Sequence, residues 1–140
     1  MATINASVRI GSDIMSYPAS INKTMTMKKA GSCHGLEKTL GLSYEKLNAT
    51  DPVVLELAAD ATASKACKVY IRNTGSDKSA FFHVALNASA AAADTVQVIG
   101  RLYGGDWMLI PWEANGTGHN ITVAPSTAEN MTIEWMAFVE

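Results

Sequence analysis

The sequence is short of several things, and each shortage excludes something. Only two cysteines occur in 140 residues, Cys33 and Cys67, and they share no motif spacing. A disulfide-stapled scaffold or a zinc ribbon is therefore not indicated, and free buried thiols are expected. Charged residues make up 17% of the chain against 48% hydrophobic residues. That is low for a free monomer and suggests surface covered by a partner. The net charge is −2, and basic residues do not cluster beyond Lys28-Lys29. A nucleic-acid partner has no electrostatic footprint here. No apolar run approaches the roughly 18 residues that a membrane helix needs, so no membrane partner is expected. The opening MATINASVRIGSDIM has no charged segment leading into an apolar one, and synthesis in a cytoplasm is expected.

Catalytic groups are equally sparse. His34, His83 and His119 are too scattered for a local ligand motif, and Cys33 beside His34 falls short of the three or four ligands of structural zinc. Nothing local marks Cys33 as an activated nucleophile. Gly100, Gly104 and Gly105 are not followed by a helix, so they do not form a phosphate loop. Asp106, Glu113 and Glu134 could be imagined as glycosidase acids, but carboxylates on a sheet are usually solvated. No catalytic residue, metal site or cofactor is expected, and the chain reads as a non-enzyme. Seven Asn-x-Ser/Thr triplets, at Asn5, Asn22, Asn48, Asn87, Asn115, Asn120 and Asn130, read as ordinary turn and strand usage.

What is present is alternation. Cys67 to Asn73 alternates cleanly, with Cys67, Val69 and Ile71 on one face. Ala80 to Asn87 places Phe82, Val84 and Leu86 inward and Phe81, His83 and Ala85 outward. Val96 to Trp112 reads as a hairpin reversing at Gly104-Gly105, with Pro111 requiring an edge or strand end. Val53 to Leu57, Asn120 to Ala124 and Met131 to Val139 are further strands. The last carries Met136 and Phe138 beside Glu134 on its second face, as a covered central strand or a subunit contact would. Leu36, Leu40 and Leu47 suggest a short helical turn, weakened by Gly41. The connections 58–65, Ala90–Ala93 and 113–119 read as loops, with one helical turn open for the alanines. Eight or nine short strands suggest an all-β fold: an antiparallel β-sandwich or jelly roll.

Residues 1–20 read as an extended N-terminal arm and 21–140 as a single sandwich domain. The expected core is Val69, Ile71, Phe82, Val84, Leu86, Val98, Leu109 and Trp135. The arm alternates but buries little, so Thr3, Ile4, Asn5, Val8 and Ile10 are candidates for main-chain pairing with a partner's sheet edge. Trp107, Trp112 and Phe138 are candidate interface aromatics. Trp107, Trp112, Trp135 and Tyr103 could instead form a sugar-stacking platform, or simply fill a core.

The segments KVYIRNTGSDKSAFFHVAL, GRLYGGDWMLIPW and APSTAENMTIEWMAFVE, with ASVRIGSDIMSYPASINKTMTMKKAG near the start, resemble small virion structural proteins of tailed bacteriophages, cyanophages among them. The similarity rests on Ile71-Arg72-Asn73-Thr74, the stretch from Gly100 to Pro111, and Glu134-Trp135. It implies a particle component made in the host cytoplasm and carried on the capsid surface. A decoration or cement protein is the first expectation, with the phage major capsid protein as partner and a homo-oligomer, a trimer, at three-fold positions. A tail or neck component, or a carbohydrate- or receptor-binding module, is the alternative.

Overall fold

The protein is described by a computed structural model covering residues 3–12, 19–28, 38–39, 42–48, 50–55, 66–86, 98–113 and 120–139. Cys33, His34, Leu36, Leu40, the 58–65 connection, Ala90–Ala93 and His119 lie outside these residues. The described residues form strands and turns with no helix, and every ladder is antiparallel. Among the described residues no helix is long and apolar enough to cross a membrane. The chain divides into two compact units, residues 1–37 and residues 38–139.

The first unit is a two-stranded ladder. β1 (Thr3–Ser12) pairs with β2 (Ala19–Lys28) in ten consecutive rungs, from Thr3 opposite Lys28 to Ser12 opposite Ala19. The expected arm is thus one strand of a hairpin, and the expected boundary after residue 20 falls inside β2. Alternation puts Ala6, Val8, Ile10, Ile21 and Met25 on one face with Lys23, and Asn5, Ser7, Arg9, Asn22 and Thr24 on the other.

The second unit is a body of two antiparallel sheets in a sandwich-like arrangement. One contains β5 (Val53–Val54), β10 (Ile121–Pro125), β7 (Phe81–Leu86) and β8 (Val98–Tyr103), in that order. The other has the order β3 (Lys38–Thr39), β11 (Met131–Val139), β6 (Ala66–Asn73), β9 (Trp107–Glu113). β4 (Ser43–Leu47) also pairs with β11, through Tyr44 opposite Glu134 and Leu47 opposite Met131. Inward residues of both sheets make one core: Val69 and Ile71, Phe82 and Val84, Ile121 and Val123, Ile133 and Trp135, with Leu55 and Trp112. Each large side chain buried here contributes about 1.5–3 kcal/mol.

Several expectations are corrected. β8 and β9 do not pair with each other; they belong to different sheets. Gly104-Gly105 does form a tight turn, with Asp106 N donating to Tyr103 O at 2.8 Å and Gly105 at φ +86°. That turn carries the chain across the core instead of closing a hairpin. The 36–47 stretch is not helical where described: β4 pairs along β11, and this ladder overrides the leucine spacing. Among the described residues β9 is an edge strand, as Pro111 requires, and its even residues Met108, Ile110 and Trp112 point inward. Leu109 therefore lies on the outer face, half-buried. The register between β7 and β8 shifts after Val84 opposite Gly100, so that Ala85 faces Val98 and Ile99 is the extra residue. This bulge moves Val98 out of the core phase. Leu86, at the end of β7, is 41% exposed, whereas Ala85 on the outer face is buried.

The two inter-sheet turns lock together. Asn73, at the end of β6, is buried; its side-chain NH2 donates to Leu102 O at 3.0 Å and its side-chain oxygen accepts Gly75 N at 2.9 Å. Asn73 N donates to Asp106 O, Gly105 N to Asn73 O and Gly104 N to Asp77 O, each at 3.0 Å. Lys78 Nζ donates to Gly104 O. Asp77 in turn accepts Ser79 N and Oγ, both at 2.7 Å, and these bonds hold its carboxyl below the usual range.

Candidate functional site

The outward face of the β4-β11-β6-β9 sheet carries the densest chemistry among the described residues. Register sets one rung across four strands: Tyr44, Glu134, Arg72 and Trp107. The next rung holds Met136, Tyr70 and Leu109. Each of these residues is on an even position of a strand whose odd neighbours fill the core, except on β9, where the parity is reversed. Adjacent strands lie about 4.8 Å apart, so the first rung spans roughly 14 Å from β4 to β9.

Glu134 is the unusual member. Its side chain is 7% exposed although it points away from the core. The Tyr70 hydroxyl donates to its Oε1 at 2.7 Å. Hydrogen bonding to Glu134 is also the main reason the Tyr44 hydroxyl is pushed above its ordinary pKa, followed by desolvation and the carboxylate's charge, with Arg72 opposing. Tyr70 is raised first by burial, then by the same carboxylate, and is again opposed by Arg72. A carboxylate held among two phenols and a guanidinium is thereby oriented by charge-assisted bonds. Trp107 lies beside this group, its ring centroid 6.5 Å from that of Tyr70 at 37°. The ends of the rung stay open, with Tyr44 60% and Trp107 48% exposed.

The expected interface aromatics are separated by this geometry. Trp107 is at the surface, but Trp112 is buried in the core and Phe138 is buried on the outer face of β11. On that second face of β11, Phe138 is covered within the chain, in keeping with the covered central strand that was one of its two readings. The four-aromatic platform does not form either: Trp135 is in the core, and Tyr103 sits on the other sheet opposite Phe81, with centroids 5.1 Å apart. In the hairpin, Asn5, Val8 and Ile10 are exposed, and Thr3 and Ile4 pair with Lys28 and Met27 along the ladder. Tyr44, Tyr70 and Arg72 are not candidate site residues by local pattern, because only the long-range register brings them to Glu134.

The outer face of the other sheet holds His83, whose ring meets Phe81 edge-on at 4.9 Å, while Arg101 lies 4.7 Å over the Phe81 ring. His83 Nδ1 is buried without a partner. Burial, and then the Arg101 charge, push its pKa below the ordinary value. Asp106 Oδ2 accepts Tyr103 N at 3.0 Å and so serves its own turn. Among the described residues no group of three or more His, Cys, Asp or Glu could hold a metal ion. No family model matches the chain, and no curated protein matches it.

Proposed function

We propose that this chain is a bacteriophage virion structural protein, a decoration or cement protein that binds the outer shell and stabilises it. The observation that carries the reading is the strand order of the body. From β4 onward, sheets ordered β4-β11-β6-β9 and β5-β10-β7-β8 place consecutive strands in alternate sheets everywhere except between β7 and β8. Two interlocked Greek keys produce this order, so the body is read as a jelly roll, an architecture shared by viral capsid and lectin domains. Fold analogy alone does not assign function, and the resemblance of the IRNT, Gly100–Pro111 and Glu134-Trp135 segments to phage particle proteins directs the choice.

The hairpin supports an attachment role. Val8, Ile10 and Ile21 are 36%, 51% and 47% exposed on one face, and a lone two-stranded hairpin is marginal in water. Among the described residues each strand has a strand neighbour on one side only. Main-chain pairing with the major capsid protein, together with cover for the apolar face, would stabilise it. Trimerisation at three-fold shell positions belongs to the same proposal. The test is to add the purified full-length chain to capsids assembled without it. Saturable co-sedimentation at a fixed ratio to the major capsid protein is expected, together with raised thermal stability of the shell. Absence of binding at micromolar concentration would end the proposal.

A further inference from the structure

We infer that the rung Tyr44–Glu134–Arg72–Trp107, with Tyr70 behind it, is a binding site for a neutral oligosaccharide. The inference stands on this face alone, whether or not the chain is a shell component. Two exposed rings bracket the rung, and an apolar ring face with a polar edge suits the C–H face of a pyranose. Between them lies a charged pair. Glu134 is buried, its carboxylate held by Tyr70 at 2.7 Å, and Arg72 beside it is exposed. The guanidinium is the charged group open to a ligand, and sugar hydroxyls accept from it. The span of roughly 14 Å between the end strands accommodates a chain of sugars better than a single ring.

The arrangement disfavours other occupants. Protein interfaces place charge at the rim and apolar groups in the centre. Here the charged pair is central and the aromatic rings are at the ends. A nucleic acid requires several cations against its phosphates, whereas this rung offers one guanidinium beside a carboxylate, on a chain of net charge −2.

The test titrates the full chain with maltohexaose, cellohexaose, laminarihexaose and chitohexaose. Trp107 is half-exposed and the other two tryptophans are buried, so a shift in tryptophan emission reports on this face. A saturable shift with at least one sugar is expected. Calorimetry with that sugar should show affinity lowered about tenfold or more in Trp107→Ala and in Arg72→Met, the scale of losing a central contact. Phe81→Ala, on the other sheet, should bind as the parent does. Both test side chains are exposed, so the variants should stay folded, which circular dichroism checks. No saturable response to any of the four sugars at millimolar concentration would overturn the inference, as would undiminished affinity in Trp107→Ala. Loss of stability in Glu134→Gln without sugar binding by the parent would reduce the rung to a clasp between strands, and equally overturn it.

Discussion

An alanine at position 104 would place its Cβ 2.3 Å from Asp77 O and 2.8 Å from both Asp77 N and Ser76 C. All three are backbone atoms, so no side chain can rotate away. The β6–β7 and β8–β9 turns would have to part, straining the Gly104 N–Asp77 O and Gly105 N–Asn73 O bonds, each 3.0 Å. Overpacking of this kind costs about 1–3 kcal/mol, and each weakened bond adds on the order of 1 kcal/mol. The expected loss for Gly104→Ala is therefore about 3–5 kcal/mol, or roughly 12–40 °C in melting temperature for a body near 100 residues. Gly100→Ala is the control, because nothing lies within 4 Å of its added Cβ. It should change stability by less than about 0.5 kcal/mol. Urea denaturation of both variants, with slopes compared to the parent, makes the measurement. Equal stability of Gly104→Ala and Gly100→Ala would refute the docking of the two turns.

Three further outcomes are expected. His83 has a folded pKa below 6.5, so the unfolded chain takes up its proton first; stability should hold above that pH and fall as pH drops through it, and His83→Leu should flatten the slope of melting temperature against pH. In an absorbance titration Tyr44 and Tyr70 should ionise above pH 10, any stability they contribute being lost as pH rises through their folded values. Glu134→Gln should lower both, Tyr44 proportionally more, because the hydrogen bond is its first cause and burial is that of Tyr70; unchanged titration would contradict the network. A fragment of residues 38–140 should keep the sheet signature and melting temperature of the full chain by circular dichroism, since the hairpin and the body are separate units; an unfolded fragment would contradict that division.

Period-two patterning made the strands legible wherever one face meets the core. Val69, Ile71, Phe82 and Val84 are buried as their alternation requires. Patterning does not name a strand's partner, however. The Gly104-Gly105 turn has hairpin chemistry, yet it joins two sheets, because Asn73 and Asp77 dock on it from a turn some thirty residues earlier. The β8 bulge was hidden for a related reason: one extra residue at Ile99 reverses the faces beyond it, and nothing in the local composition signals it. Of the candidate site, Trp107 and Glu134 were visible as types that could bind something. Their association through Tyr44, Tyr70 and Arg72 depends on β11 pairing with both β4 and β6, which a local reading cannot supply.

The proposed role makes the chain part of a phage particle. Quantitative mass spectrometry of gradient-purified virions tests it most directly. A particle component is expected in those virions at a constant, integer-related ratio to the major capsid protein across the gradient peak. Abundance in the infected-cell lysate with none in the purified particles would contradict it.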